Sequence, residues 1–240
     1  MRTAVVPGFL PSVNGFRFTN AWPPGPTIKV GPLDPRWIGI GDARDGLCGG
    51  MVVAAKDLFE ARSGPVDVPP DTEPFANGSP RFRAIVRRQI QSLDYLRVPL
   101  RYWALQARPD HPTLVSRLLR RETPLVVAVR ELARIRDEID GGRTAVVGLV
   151  RASGRSPSLL SLNHQVLAFG YEETPGRIAI RVYDPNHPGR DDVELVATLA
   201  PDGRPLGLAQ STGEPLRTLF LQPYPRPGSL AAWRGAPGAP

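Results

Sequence analysis

The chain has 240 residues, 41% of them hydrophobic, which is enough to bury a core and excludes wholesale disorder. Its formal net charge is +7, but all except two of its 30 basic residues are arginines, scattered among many Ala, Gly and Pro residues. This pattern is typical of a GC-rich coding sequence rather than of a binding stripe, so we expect no specific nucleic-acid partner.

The single cysteine, Cys48, excludes an internal disulfide and fits a reducing compartment. Pro7 and Pro11 interrupt the short apolar patch at the N-terminus, which is too short for a signal peptide. No apolar run approaches the ~18 residues that a membrane span requires. We therefore expect a cytoplasmic protein without membrane contact, and the sequence carries no signal for an oligomeric state.

The first half of the chain is predicted to be mainly helical. Residues 1–40 are punctuated by proline, with one short strand expected over 15–20. Apolar residues then recur at helical spacing, and Gly141-Gly142 closes the last such run. The predicted helices cover 46–62, 80–94, 113–121 and 128–140.

The second half is predicted to be rich in strands, because β-branched and aromatic residues alternate between turn residues. The predicted strands cover 144–150, 164–171, 177–184, 193–199 and 216–224. Helices followed by strands favour an α+β fold.

We expect a single domain over residues 1–225, with a helical lobe at about 46–141 and a mainly antiparallel β lobe at about 144–224. Residues 226–240 read as a flexible C-terminal tail. A site between the two lobes would lie in a cleft.

Cys48 lies in the stretch DGLCGGMVVAAKDLFEA, residues 45–61, at the start of a predicted helix. If Asp45 is the N-cap, Cys48 lies in the first turn, where oriented N–H groups favour a thiolate. The alternative is that Cys48 packs as a small hydrophobic residue. Gly49 and Gly50 would each cost about 1 kcal/mol in a helix relative to alanine, which favours a position that something must approach closely.

Of the three histidines, His164 opens a predicted strand, and Asp184 ends the next one. Neighbouring antiparallel strands would bring these two side chains together, with the aspartate fixing the tautomer and orientation of the imidazole. His111 precedes a proline in a loop and is given no role. One cysteine and three dispersed histidines offer no ligand spacing, so no metal or cofactor is expected.

The segments GLCGGMVVAAKDLF and LNHQVLAFGY resemble the nucleophile helix and the histidine strand of papain-like cysteine peptidases. The order Cys, His, then Asp or Asn also matches. The YDP ending is similar to the bacterial branch that processes leader peptides, and the chain resembles an uncharacterised bacterial group sharing GLCGGM, NHQVL and YDPN motifs. This resemblance, over about 40 residues, implies a papain-like fold.

The resemblance assigns Cys48 as nucleophile, His164 as general base and then acid, and Asp184 as the residue that orients the histidine, with Asn186 as an alternative. Such an enzyme would hydrolyse or transfer an acyl group from a peptide, protein or other amide. The other interpretation is a catalytically inactive papain-like fold that serves as a binding module.

One position departs from the family pattern. Papain-like peptidases carry a glutamine about six residues before the cysteine that donates to the oxyanion, and here that position is Asp42. A carboxylate cannot donate a hydrogen bond. Either Asn163 or Gln165 replaces the donor, or the backbone N–H of Cys48 acts alone, or the site is not a peptidase site.

Overall fold

Helices fill most of the first half of the chain. The computed structural model describes residues 1–22, 46–61, 73–94 and 97–233. Within these residues the α-helices are α1 (Pro11–Asn14), α2 (Cys48–Glu60), α3 (Pro80–Ser92), α4 (Arg97–Gln106), α5 (Leu114–Leu118) and α6 (Pro124–Asp140). None of these helices is both long enough and apolar enough to cross a membrane.

The strands of the described residues form one sheet. They are β1 (Arg2–Val5), β2 (Ala145–Val150), β3 (His164–Thr174), β4 (Arg177–Tyr183), β5 (Glu194–Leu199), β6 (Pro205–Gln210) and β7 (Thr218–Leu221). Their order is β6-β5-β4-β3-β2-β7, every pairing is antiparallel, and the sheet curves into a nearly closed barrel. The long strand β3 pairs with β4 along one edge and with β2 and then β1 along the other.

One hydrophobic core joins the helices to the sheet. Helices α2 and α6 both pack on β3, and α2 also packs along α3. Fully buried residues of the two helices and of the strands meet in this core, including Met51, Val52, Leu132, Ile135, Val147, Val166, Phe169 and Ile180. The cysteine helix is thus held between a second helix and the strand that His164 opens.

The α+β organisation is confirmed, with the α-helices before Gly141-Gly142 and the strands, apart from β1, after it. Five elements of the described residues have no counterpart in the sequence predictions, namely α1, α4, the 3-10 helix Pro157–Leu162, β1 and β6. Helix α4 has Pro99 in its first turn, where proline is tolerated. Strand β6 contains Pro205 and Gly207, which weaken a strand pattern, and β1 has only four residues.

The strand predicted over residues 15–20 is wrong, because this segment is irregular in the structure. Its alternating Phe16 and Phe18 are buried, and their rings pack against each other and against Phe75. The alternation therefore reflects aromatic packing rather than strand pairing.

The C-terminal segment does not project as a free tail over residues 226–233. The backbone N–H of Gly228 donates to Oδ2 of Asp57 at 3.3 Å, and the Trp233 side chain is buried in the core. An indole ring buries a large apolar area, which ties the segment to the domain. The remaining residues, 234–240, lie outside the described part of the chain.

We predict that Trp233→Ala lowers the free energy of unfolding by about 3 kcal/mol, the usual cost of truncating a buried aromatic side chain. The centroid of the Trp233 ring lies 5.6 Å from that of Phe16 and 5.9 Å from that of Phe75. Urea denaturation measures the change. Leu118→Ala is the control, because Leu118 is 84% exposed. Equal stability of the two variants would show that the C-terminal segment does not contribute to the fold.

Candidate active site

Cys48 is the first residue of α2. The N-cap is Leu47, and no side chain caps the helix, so the expectation that Asp45 is the N-cap is wrong. Asp45 itself lies outside the described residues. The backbone N–H groups of a first helical turn favour a negative charge beside them. The position of Cys48 therefore favours its thiolate.

His164 is the first residue of β3, where it pairs with Leu149 of β2. Its side chain is 4% exposed. The hydroxyl of Tyr102, on α4, donates to the backbone oxygen of His164 at 2.6 Å. The start of the strand, and with it the imidazole, is thereby fixed from the helical side.

Asp184 directly follows β4, the antiparallel neighbour of β3, and its side chain is completely buried. Nε2 of His164 donates to Oδ1 of Asp184 at 2.6 Å. The backbone N–H of Asn186 donates to the same oxygen at 2.8 Å, and Nε2 of Gln210 donates to Oδ2 at 2.8 Å. Both carboxylate oxygens are therefore satisfied without a proton.

The ring of His164 also contacts Cys48. Because Nε2 is occupied by Asp184, Nδ1 is the nitrogen left to face the thiol, and the two side chains lie close enough for their charges to interact. The structure thus brings together all three residues that the sequence singled out. We call Cys48, His164 and Asp184 the triad below.

The surroundings of Cys48 favour its ionised form. Burial raises the pKa of the thiol, but the charge and hydrogen bond of His164, together with the backbone N–H groups of Gln165 and Gly49, outweigh burial. The pKa of Cys48 therefore lies below its ordinary value. A thiolate, not a thiol, is the reactive nucleophile.

His164 and Asp184 stabilise each other's charge. Burial lowers the pKa of His164, but the charges of Asp184 and Cys48 raise it from 6.5 to about 10. Burial raises the pKa of Asp184, whereas His164 and the Asn186 N–H lower it, with a net fall to about 2. At neutral pH His164 is therefore an imidazolium and Asp184 a carboxylate, and both the charge of His164 and the lowered pKa of Cys48 favour the thiolate.

The glycines beside Cys48 serve helix packing. A Cβ on Gly49 would lie 2.3 Å from Oε1 of Gln165, and a Cβ on Gly50 would lie 2.3 Å from the backbone oxygen of Ile85 on α3. The Ile85 oxygen belongs to the backbone and leaves no room for a Cβ on Gly50, whereas a Cβ on Gly49 would require the end of the Gln165 side chain to shift. The close approach that the sequence suggested is made by the protein's own chain, so these glycines do not by themselves favour catalysis.

Two of the proposed support residues are engaged away from the thiol. The side chain of Asn163 donates to Oε1 of Gln106 at 3.2 Å and accepts from the backbone N–H of Arg151 at 3.1 Å. Oδ1 of Asn186 accepts from the side chain of Asn20. The side chain that accepts from His164 is the carboxylate of Asp184. Asn163 is therefore not available as an oxyanion donor, and Asn186 does not orient the histidine.

Gln165 remains beside the reactive group. Its side chain is buried against Gly49, and its Oε1 has no hydrogen-bond partner. An unpaired buried oxygen is costly, so a state of the site in which this amide gains a partner is favoured. Asp42 lies outside the described residues.

Asn20, which the sequence analysis did not single out, connects the two halves of the site. Its Oδ1 accepts from the backbone N–H of Leu47 at 2.7 Å, and its Nδ2 donates to Oδ1 of Asn186 at 3.3 Å. Its own backbone N–H donates to the backbone oxygen of Pro185 at 3.0 Å. One side chain therefore joins the start of the cysteine helix to the turn that carries Asp184.

Tyr102 and Gln222 support the triad through the backbone of His164, which Tyr102 contacts. The sequence analysis did not single them out. Nε2 of Gln222 donates to the Tyr102 hydroxyl at 3.0 Å. Gly148 leaves room for both, since a Cβ there would lie 2.5 Å from Nε2 of Gln222 and 2.7 Å from the hydroxyl. These contacts join distant parts of the chain, and no local sequence pattern marks them.

The arrangement is suited to acyl transfer. It combines a cysteine whose thiolate is favoured, a protonated histidine beside it, and a carboxylate that orients the histidine. Within the described residues, no group of three or more His, Cys, Asp or Glu side chains is placed to hold a metal ion.

No protein-family profile matches the chain, and neither a curated protein nor a solved structure matches it. The function is therefore argued from the triad and its surroundings.

We predict that Asn20→Ala slows alkylation of Cys48 at pH 6 about fivefold, the effect of losing roughly one hydrogen bond. Without Asn20 the Leu47 N–H loses its acceptor and the helix is no longer tied to Asn186. Asn20→Asp, which keeps the acceptor for Leu47, is the matched control and should react faster than Asn20→Ala. Rates equal to wild type in both variants would contradict this role.

Proposed function

We propose that the protein is a papain-like cysteine hydrolase or acyl-transfer enzyme acting on a peptide or other amide bond. The observation that carries the proposal is the contact chain of the triad. Cys48 begins a helix, His164 opens a strand beside it, and the buried Asp184 accepts from Nε2 of His164 at 2.6 Å.

In the proposed reaction, Sγ of Cys48 attacks the carbonyl carbon of the amide, and the carbonyl oxygen becomes negative. His164 donates its Nδ1 proton to the leaving nitrogen, the C–N bond breaks, and a thioester to Cys48 forms. Neutral His164 then takes a proton from water or an incoming amine as this attacks the thioester. The C–S bond breaks and the thiolate–imidazolium pair is restored.

The developing oxyanion needs donors in this reaction. The backbone N–H of Cys48, at the first position of α2, has no acceptor among the described residues. The side-chain amide of Gln165 lies against Gly49 with its Oε1 unpaired, so exchanging the positions of its oxygen and nitrogen would direct Nε2 toward the start of α2, whereas the amide of Asn163 is already bonded. We assign the oxyanion site to the Cys48 N–H, with the Gln165 amide as second donor.

Asp184 acts in this mechanism as a fixed anion rather than as a proton acceptor. Its pKa of about 2 keeps it ionised near neutral pH while His164 is protonated. Its hydrogen bond places the proton of neutral His164 on Nε2, which leaves Nδ1 as the base that faces Cys48.

The order of the functional residues supports the papain-like assignment. A cysteine at a helix start, followed by a histidine on a strand and an aspartate after the neighbouring strand, reproduces the order of that family's residues. A binding module on the same fold is the competing function, and Asp42 at the position of the family's oxyanion glutamine is the feature that favours it.

We expect iodoacetamide to alkylate Cys48 at pH 6 at least about tenfold faster than free cysteine, which is less than about 1% ionised at that pH. Asp184→Asn removes the charge that keeps His164 protonated, so this rate should fall toward that of free cysteine. Labelling followed by mass spectrometry measures the rates. Asp202→Asn is the control, since Asp202 is exposed and remote from the triad.

Turnover is measured with a broad peptide library. Cys48→Ala should abolish cleavage, and Asp184→Asn should reduce it roughly 100-fold, as expected when general acid–base catalysis is impaired. Asp42→Gln should leave turnover unchanged or raise it. If Cys48 reacts no faster than free cysteine and no peptide is cleaved, the hydrolase proposal fails and the binding module stands.

A further inference from the structure

Gln210 lies at the end of β6, is almost completely buried, and touches the triad from the side opposite to Cys48. Its Nε2 donates to Oδ2 of Asp184 at 2.8 Å, and its Oε1 accepts from Nη2 of Arg151 at 3.0 Å. A carboxylate only accepts and a guanidinium only donates, so these partners permit a single orientation of the amide.

Arg151 follows β2 and is partly buried. Its backbone N–H donates to Asn163, the residue before His164, and its guanidinium reaches the opposite end of the sheet at Gln210. No carboxylate of the described residues forms an ion pair with it, whereas Arg136, Arg143 and Arg177 each have such a partner. The guanidinium of Arg151 therefore donates to the Gln210 amide, and no carboxylate of the described residues neutralises its positive charge.

We propose that Gln210, held in one orientation by Arg151, is a positioning residue that keeps Asp184 ionised and directed at His164. The inference rests on the proposed function for its catalytic meaning. The chain Arg151–Gln210–Asp184–His164 then sets the basicity of the imidazole, which in turn sets the fraction of Cys48 present as thiolate.

The physical need for such a residue follows from burial. An ionised carboxylate without solvent must have hydrogen-bond donors for both oxygens, or it takes up a proton. Oδ1 of Asp184 receives His164 and the Asn186 N–H, whereas Gln210 is the side-chain donor to Oδ2. Losing that donor favours the protonated carboxyl or a rotated one, and either state weakens the contact with His164.

The charged groups around Asp184 come from several elements. His164 on β3 contacts it directly, and His187 in the following turn adds a second favourable charge. His187 is itself paired with Glu214, and Arg151 acts through the Gln210 amide. Because Gln210 is neutral, it supplies a donor without adding a charge that would compete with His164.

The test is the NMR titration of the His164 imidazole in protein labelled at histidine, where only three histidines contribute signals. Wild-type His164 should remain protonated until about pH 10. Gln210→Met removes the donor at similar volume, and the pH of half-protonation should fall by about one pH unit. Arg151→Met, which frees the amide to rotate, should lower it by about half as much.

Gln91→Met is the matched control, because Oε1 of Gln91 also accepts from an arginine, Arg88, but lies away from the triad. It should leave the His164 titration unchanged. Asp184→Asn removes the carboxylate itself and should give the largest fall in the pH of half-protonation of His164. If Gln210→Met does not fold, Gln210→Asn decides in its place, since its amide is too short to reach both partners.

A folded Gln210 variant with the wild-type His164 titration would overturn the proposal. The titration needs no substrate, so its outcome is independent of peptide turnover. If wild type cleaves no peptide but the pH of half-protonation of His164 falls in Gln210→Met, the hydrolase proposal fails and the positioning role of Gln210 stands. If wild type cleaves peptides but this pH is unchanged in Gln210→Met, the positioning role fails and the hydrolase proposal stands.

Discussion

The site depends on the hydrogen bond between His164 and the completely buried Asp184, 2.6 Å long. Removing a carboxylate from water is costly, and the cost is offset only when partners satisfy it fully. Here the imidazole, a backbone N–H and the amide of Gln210 do so. The charge that remains on Asp184 raises the basicity of His164, and protonated His164 stabilises the thiolate of Cys48. The negative charge of Asp184 thus stabilises the positive charge of His164, which in turn stabilises the negative charge of Cys48.

The fold supplies these partners from elements distant in sequence. Helix α2 is packed between α3 and β3, and its two glycines allow that approach. Asn20 holds the start of the helix to the turn after β4, whereas Tyr102 holds the start of β3 from α4. The triad therefore lies where helices and sheet meet, and its geometry is fixed on both sides rather than by the strands alone.

The sequence was sufficient for the α+β order and for the pairing of His164 with Asp184, because both follow from the periodicity of helices and strands. The place of Cys48 beside them was expected from the resemblance of its motif and not from periodicity. The sequence was insufficient for elements whose local pattern is weak, such as α4 with its early proline and β6 with its Gly207. It also missed Asn20 and Gln210, since their roles arise from contacts between residues far apart in the chain, which no spacing reveals.

The most direct test of the account is the ultraviolet absorbance of the Cys48 thiolate, measured against pH as the difference between wild type and Cys48→Ala. The account predicts that the thiolate signal is already present at pH 6, because His164 and the first turn of α2 lower the pKa of this thiol. A signal that appears only near pH 8.5, as in free cysteine, would contradict the ion pair and with it the proposed chemistry.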